Sequence, residues 1–589
     1  MSKDRILFII PPHLKYEDFV RPSFNARVEE NHSGQRFGTV LTDMPLGPLS
    51  LSTYLKKQLG EENIEIRLLD FNVSLNLVQS FNYANFAEYF RDVLQNGTDA
   101  VTGVRWSDYK PTIIGITVLF SPSYDNFLDI AQCSREVFPE AVVMAGGGIP
   151  TTMYLKIFRD TTAVDALCFA EGEVPFLEYL RAADRPQYLK ESNCWVTAEK
   201  KELPTSEFKP KYIHDLDEIE FYDYSLVKTE HYSLNPALTA YAGVYQKKQN
   251  YHYMTSRGCV YHCNFCASHK VNGRTMRYHS VSRVKKDLIR LRDQFGAKTI
   301  VIQDDHFMGD KDRALEIINI LGDLELNVVF QNSLTLFALK RPMLEAMKRC
   351  GVKHLMLSVE SGSARVLREI MHKPLTLPIV EQVASDCRDL GIYSDTNILL
   401  GNIRETEQDI EDARGFLRTK CPVNWFRFFI ATPLAGSEFY EEAREKGYIQ
   451  GDLVNFDYKK ANISTEFLSR ERIEELQYEF NLELNFVYNH DVRIGEENKA
   501  RGDDAKAKQN YETALLGFLN AVRSRPDHVF GHHFAALCYN RLNDSEKSER
   551  HRRLAMQSAQ NPYWRKWLDK FPQVEVGSFK LAPATAVLA

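Results

Sequence analysis

The chain has 589 residues, a formal net charge of −6, 44% hydrophobic residues and ten cysteines. That length supports several cores, on the order of two to four domains, and the absence of a basic block removes nucleic acid as an expected partner. The apolar run Ile6 to Ile10 is cut by Pro11 and Pro12, too soon for a signal peptide or membrane span, so the expected location is the cytoplasm, where clustered thiols bind metal or do redox chemistry rather than pair.

From the N-terminus, RILFIIPP reads as a buried parallel strand, LGPLSLSTYLKKQLG as a helix, and IEIRLLDF and PTIIGITVLFS as strands. NFLDIAQCSREVFP is helical, and AVVMAGGGIPT is a strand running into a glycine turn. The alternation predicts a doubly wound α/β domain over residues 1–190. Ligands of such a sheet lie at the carboxyl ends of its strands, where Pro11, Pro12, Ser121, Pro122 and Gly146 to Gly148 converge. Residues 191–248 lose the alternation and read as a linker packed across a domain boundary.

A second alternation follows over 249–470: YHYMTS, AKTIVIQDD, LNVVFQN, VKHLMLSVE, IYSDTNILLG and WFRFFIATP are strand-like, with helices such as VSRVKKDLIRLRDQF and RPMLEAMKRCG between them. Six βα units predict a partial parallel barrel whose site lies at the carboxyl ends of the strands. Residues 471–589 are helical in period. Pro526 and Pro562 stand near the spacing of tetratricopeptide repeats, and the segment resembles one such repeat and part of another. It is expected either to dock on the barrel or to bind a protein partner. His528, His532, His533 and His551 show no metal spacing and are expected to be solvated, and the tail LAPATAVLA to be disordered.

Just after the first barrel strand, SRGCVYHCNFCASHK places Cys259, Cys263 and Cys266 within eight positions. A closed zinc site wants a fourth ligand, for which His262 and His269 are available. An iron-sulfur cluster held by three thiolates leaves one iron open for another ligand.

This stretch resembles the radical S-adenosylmethionine (SAM) superfamily, whose CxxxCxΦC loop it matches with Phe265 as the aromatic position. The resemblance implies a [4Fe-4S] cluster on the three cysteines. Its open iron chelates SAM, whose reductive cleavage gives a 5'-deoxyadenosyl radical that abstracts hydrogen from substrate. Phe265 is then expected near the adenine. IQDDHFMGDKDR resembles the second-strand segment of the cobalamin-associated branch and brings Asp304, Asp305 and Phe307 toward the cleft. LSVESGSARVL offers Glu360 and Ser361 to SAM, and LLGNIRETEQD resembles the fifth-strand glycine motif with Gly401. That motif usually has a second glycine where Arg404 stands. TPLAGSEFYEEA resembles the segment after the sixth strand.

MPLGPLSLSTYLKK, AGGGIPTT and CFAEGEVPFLEYL resemble the cobalamin-binding domain that precedes this barrel in class B methyltransferases and related cyclases, among them the anaerobic magnesium-protoporphyrin ester cyclases. Pro45, Leu46, Gly47, Ser121, Gly146, Gly147 and Gly148 are the contacts it implies. Asp43 to Gly47 reads DMPLG, without the histidine of a DxHxxG motif, so no axial ligand can be named. The implied activity is radical methylation of an unactivated carbon in a small-molecule or natural-product substrate, with cyclisation or rearrangement as the alternative and a flavodoxin or ferredoxin as electron donor. A methylthiotransferase would need a second cluster, for which Cys133, Cys168 and Cys194 are widely spread, and a non-catalytic scaffold would not need the intact cysteine spacing. No general base is evident from the sequence.

Overall fold

The computed structural model describes residues 3–22, 28–30, 36–38, 40–232, 249–332, 334–451, 454 and 460–581. RILFIIPP forms β1 (Asp4–Ile10), and LGPLSLSTYLKKQLG forms α1 (Leu46–Leu59). They are followed by β2 (Ile64–Asp70), β3 (Ile113–Thr117), α2 (Tyr124–Val137), β4 (Val142–Gly146), β5 (Ala166–Cys168), α3 (Glu173–Arg181) and β6 (Trp195–Val196). The sheet order is β2-β1-β3-β4-β5-β6, all parallel except the last pair.

Because strand side chains alternate between faces, Ile6, Phe8 and Ile10 enter one core with Leu49 and Phe176 while Leu7 and Ile9 enter another with Phe90 and Phe127. Both faces are covered, which is why β1 reads as an unbroken apolar run. Cys133 belongs to one of these cores, and Cys168 and Cys194 to the other. The sheet thus separates the three thiols that a second cluster would need. From β1 the chain moves to one side to make β2, then returns to the other side to make β3. The β1–β3 boundary is therefore the topological switch point, where the loops part and leave a crevice.

The expected linker is described to residue 232; the rest of it, and all but the first residue of the tail, lie outside the described residues. Its described part packs Phe221, Tyr222, Tyr224 and Tyr232 into the core, with Tyr222 edge-on to Tyr253 at 5.9 Å.

The barrel strands are β7 (Asn250–Tyr253), β8 (Thr299–Ile302), β9 (Asn327–Phe330), β10 (His354–Glu360), β11 (Tyr393–Leu400) and β12 (Trp425–Ile430). They form two parallel three-stranded sheets, β9-β8-β7 and β10-β11-β12, joined by a parallel bridge from Leu334 to Leu357. Tyr253 points outward and donates to Asp287 at 2.8 Å on the following helix, and Ile300, Ile302, Leu355, Leu357, Phe426 and Phe428 also pack in the outer core. Alternation then turns His252, Ser358, Asn397 and Arg427 inward, and the lumen is polar.

The last region is helical: α4 (Arg470–Leu482), α5 (His490–Ala500), α6 (Asp504–Ser524), α7 (Val529–Arg541), α8 (Ser545–Ser558) and α9 (Pro562–Lys570). These helices close the amino end of the barrel, because Trp425, the first residue of β12, shares their core with Phe486, Phe518 and Trp564. The expectation of solvated histidines is corrected here. His528, His532 and His533 are 8%, 4% and 2% exposed, since helix packing encloses them. His528 caps α7 through Gly531 N, and His532 Nδ1 lies 2.9 Å from His551 Nδ1. A Cβ on Gly517 of α6 would stand 2.1 Å from the Trp425 ring. Gly517→Ala is therefore expected to destabilise the chain by about 1–3 kcal/mol despite the better helix propensity of alanine, read as a lower urea midpoint. No helix among the described residues is long and apolar enough to cross a membrane.

Candidate functional site

The three cysteines lie on a loop that is held from both ends. Gly258, with φ of +94°, turns the chain so tightly that a Cβ there would meet Thr275 O at 2.4 Å, and Cys259 N donates to Gly273 O at 3.3 Å. Between the second and third cysteines, Asn264 pins the loop to the carboxyl ends of the last three strands. Its N–H donates to Met371 O at 3.0 Å, its carbonyl accepts from Phe439 N at 2.9 Å, and its amide donates to Asn402 Oδ1 at 3.2 Å. Cys259, Cys263 and Cys266 are half-buried, and all ten cysteines of the chain are unpaired. Burial pushes the Cys259 thiol up and that of Cys263 up to about 11, against the pull of nearby Lys373. Thiols held this way release protons when they take up a metal centre.

Residues expected around SAM divide into two groups. Lys373 Nζ lies 3.0 Å from Glu360 Oε1 and 6.0 Å from the centre of the Phe265 ring. Phe265, Glu360 and Lys373 thus stand together beside Cys263. Glu360 sits at a register shift in β10 with φ of +69°, a strained conformation for a non-glycine residue. The Ser361 hydroxyl is buried and accepts from Ser363 N at 3.1 Å. Asp304 does not join the cysteines. It is 2% exposed and fully engaged, accepting from Thr255 N, Thr255 Oγ1 and Ser256 Oγ, each at 2.6 Å. It holds the start of the cysteine loop to the end of β8, and burial raises its carboxyl to about 6. Asp305 accepts from Asn272 at 2.7 Å, and Phe307 packs in the core 5.2 Å from Phe330.

Gly401 closes β11 with φ of +84°. Its N–H donates at 2.6 Å, and that of Asn402 at 3.0 Å, to Oε2 of Glu405. Arg404, at the usual glycine position, turns toward Glu442 at 3.5 Å. Glu405 is fully buried and its Oε1 has no hydrogen-bond partner, so burial pushes its carboxyl up to about 7 against the two backbone donors. A carboxyl whose folded pKa lies above the unfolded value holds its proton more tightly when folded. Its contribution is present below the unfolded pKa and is lost as pH rises through about 7. Glu405→Gln keeps an acceptor for the two N–H groups and cannot ionise. It is expected to remove up to about 3 kcal/mol of stability loss between mildly acidic and mildly alkaline pH, seen as a flatter pH profile of the urea midpoint.

The N-terminal domain turns its strand ends toward this loop. A Cβ on Gly47 would meet nothing within 4 Å, whereas one on Gly147, with φ of +110°, would stand 2.6 Å from Val118 O, so the β4 loop packs closely on the end of β3. Gly146 ends β4, Gly148 begins the next helical turn, and Ser121 is buried at the start of the turn after β3. Pro45 and Leu46 lead into α1, and Leu119 and Phe120 are about half exposed at the same edge. A Cβ on Gly436, after β12, would touch Thr152 at 2.6 Å and Lys270 at 3.2 Å, so the helical turn after the glycine triplet packs directly on the cysteine region.

A buried ion cluster joins the two domains. Arg257, two residues before Cys259, lies 2.8 Å from Glu173 and 3.2 Å from Glu171, and donates to Ser50 of α1 at 3.1 Å. Arg277 donates to both oxygens of Glu171 at 2.8 and 2.5 Å. Burial alone would raise the Glu173 carboxyl, but the Arg257 guanidinium and the Ser50 hydroxyl hold it below its ordinary value. Sequence reasoning gave no role to Asn264, Lys373, Glu405, Arg257, Glu171 or Glu173. The available signal was the acid pair flanking Gly172 in CFAEGEV and the arginine beside Gly258.

The donor sets fit the groups the sequence implies. Among the described residues no three His, Cys, Asp or Glu side chains converge as a single ion requires, whereas thiolates on separate irons of a cluster stand farther apart. An open, partly apolar edge at a switch point suits a large flat cofactor.

Residues 253–417 match the radical SAM superfamily model, and residues 45–180 match the B12 binding domain model. The cytidylyl-2-hydroxyethylphosphonate methyltransferase of Streptomyces wedmorensis is 27% identical over 410 residues, covering 64% of this chain and 76% of that protein. An anaerobic magnesium-protoporphyrin IX monomethyl ester cyclase of Rubrivivax gelatinosus is 23% identical, covering 62% and 63%. The structure of the cobalamin-dependent S-adenosylmethionine radical enzyme OxsB with aqua-cobalamin and S-adenosylmethionine bound shares the fold, with TM-score 0.54 and 14% identity over 97% of this chain and 80% of that one. This chain is a radical SAM enzyme with a B12-binding domain ahead of its barrel.

Proposed function

We propose that this protein is a cobalamin-dependent methyltransferase that places a methyl group on an unactivated carbon of a small molecule. One observation carries the reading: the buried Arg257–Glu173–Ser50 contact ties the cysteine loop to α1 of the B12-binding domain, so two cofactor sites are built as one unit. The nature of the methyltransferase relative supports it. Cys259, Cys263 and Cys266 hold the cluster, with SAM beside Phe265, Glu360, Ser361 and Gly401. Asp304 supports that site from behind. Pro45, Leu46, Gly47, Ser121 and Gly146 to Gly148 border the cobalamin.

When bound, the cluster supplies the electron that cleaves SAM and the cobalamin supplies the methyl group. The protein's own part is orientation. The opposite charges of Lys373 and Glu360 match a zwitterion such as the amino-acid end of SAM, and Asn264 fixes the height of the thiols above the strand ends. The inward Ser358, Asn397 and Arg427 orient a substrate by hydrogen bonds, and the packed helices at the amino end of the barrel exclude water from below. With all ten cysteines unpaired, the chain suits the reducing cytoplasm, where a flavodoxin or ferredoxin docks on the side of the loop that exposes Val260 and His262; the C-terminal helices can add a protein partner.

The test is anaerobic reconstitution with iron, sulfide and cobalamin, desalting, metal counting, and addition of SAM and reductant. Retained cobalt with both 5'-deoxyadenosine and S-adenosylhomocysteine is the expected result. The cyclase relative gives the second reading, which 5'-deoxyadenosine alone with cobalt retained would favour.

A further inference from the structure

Asp43, the first residue of DMPLG, stands just before α1 at the edge of the N-terminal domain that meets the barrel. Its Oδ1 lies 3.9 Å from Nε2 of His252, which points into the lumen from β7, a separation too long for a hydrogen bond. That oxygen is buried without a hydrogen-bond partner, while the side chain as a whole is 30% exposed, so no bond restrains the carboxylate from turning toward a ligand. No lysine or arginine among the described residues pairs with Asp43, whereas Glu360, Glu173 and Asp395 have Lys373, Arg257 and Arg427. The basic groups that feel its charge are His13 and His252. Burial lowers both in spite of the nearby carboxylate, so neither is a cation at neutral pH and neither balances it.

Beyond His252 the wall stays polar and uncharged. His252 Nδ1 lies 2.8 Å from Gln303 Nε2, which donates to Gln331 Oε1 at 2.7 Å, and these residues stand at or just past the carboxyl ends of β7, β8 and β9. A carbon that gives up hydrogen to SAM and then takes a methyl group from cobalt has to lie between the two cofactors, at the seam that Asp43 and His252 share. A carboxylate without a counter-ion in that place favours a cation, leaves its charge unbalanced against a neutral donor and repels an anion.

We propose that Asp43 binds an ammonium group of the substrate, which is therefore an amine that is cationic in solution. This rests on the reading that the substrate sits between SAM and cobalamin. His252, Gln303 and Gln331 line the wall beside that group and supply hydrogen bonds without competing charge.

The experiment uses the full-length protein reconstituted with cluster and cobalamin, SAM and dithionite. Straight-chain probes of equal length, deuterated on every carbon, differ only in the end group: an alkylammonium, an alcohol and a carboxylate. The 5'-deoxyadenosyl radical breaks a C–D bond of the probe and forms one at its own 5' carbon, and the carbon radical left on the probe is methylated or reduced by dithionite. Each capture makes 5'-deoxyadenosine one mass unit heavier, so the heavy-to-light ratio within one sample is independent of total activity. The expected result is about 10-fold more capture from the ammonium than from the alcohol or the carboxylate in the wild type. Asp43→Asn, which keeps the shape and removes the charge, should bring the ammonium down to the level of the alcohol. Capture from the alcohol or the carboxylate that equals or exceeds that from the ammonium overturns the proposal, as does no capture from the ammonium or a preference that Asp43→Asn leaves unchanged. The wild-type comparison holds even if the variant misfolds. If no 5'-deoxyadenosine of either mass forms, the radical reading fails first and the ammonium site with it.

Discussion

Cys263→Ala is expected to lower 5'-deoxyadenosine formation at least a thousandfold, about 4 kcal/mol of lost transition-state stabilisation, while leaving the fold near wild type. Chemistry depends on the thiol and stability does not, because the loop is held by other atoms. Gly258 makes its turn, and Asn264 bonds to Met371, Asn402 and Phe439. The half-buried Cys263 side chain loses little apolar contact on truncation. The check is iron and sulfide content, the product assay and a urea titration on one preparation. Undiminished 5'-deoxyadenosine would sink the cluster assignment, and a collapsed urea midpoint would show that the loop depends on the thiol for its shape. Asn264→Ala is the informative contrast. Its backbone bonds survive and only the Asn402 contact goes, so iron should still bind and turnover should fall about 10- to 100-fold, the usual cost of a supporting contact around a metal ligand.

The contrast between these two residues shows what the sequence discloses. Cysteines at fixed spacing announce themselves because their chemistry is rare and local, and both α/β regions are visible because continuous apolar runs alternating with amphipathic helices have few other solutions. Asn264 sits inside the same quoted loop and stayed silent, since an asparagine whose backbone makes two of its three bonds has no compositional signature. Asp304 shows the opposite failure. An acidic residue at the end of the second barrel strand looks like a ligand contact, yet folding places the Thr255 and Ser256 hydroxyls on its Oδ2 and the Thr255 N–H on its Oδ1. The C-terminal histidines misled in the same way, because a polar residue on a helix reads as solvated until the facing helices are known. Interdomain pairs are the least legible class. Arg257 and Glu173 are far apart in the chain, each is ordinary alone, and only the docking of the two domains makes them partners.

Arg257→Met is expected to show how much depends on that docking. It leaves Glu173 buried beside Ser50 with no cation, while Arg277 continues to serve Glu171. Breaking a buried pair from one side costs about 3–5 kcal/mol, chiefly from the stranded charge. The pH dependence should change sign. In the wild type the Glu173 carboxyl is lowered, so its contribution is present above the unfolded pKa and is lost as pH falls through the folded value. Without Arg257 burial dominates and raises the carboxyl, so the variant should instead lose stability as pH rises. Replacing both partners, Arg257→Met with Glu173→Leu, should recover much of the loss, since a buried ion pair exchanged for apolar groups of similar size is often near neutral. Urea midpoints of the wild type, the single variant and the double variant across pH test this directly. The functional readout separates stability from alignment. If the ion cluster sets the spacing between the cysteine loop and the cobalamin edge, the stable double variant should still make 5'-deoxyadenosine but yield less S-adenosylhomocysteine per 5'-deoxyadenosine. An unchanged ratio in the double variant would reduce the cluster to a stability device, and a double variant as unstable as the single one would show that Arg257 matters for packing rather than for its charge.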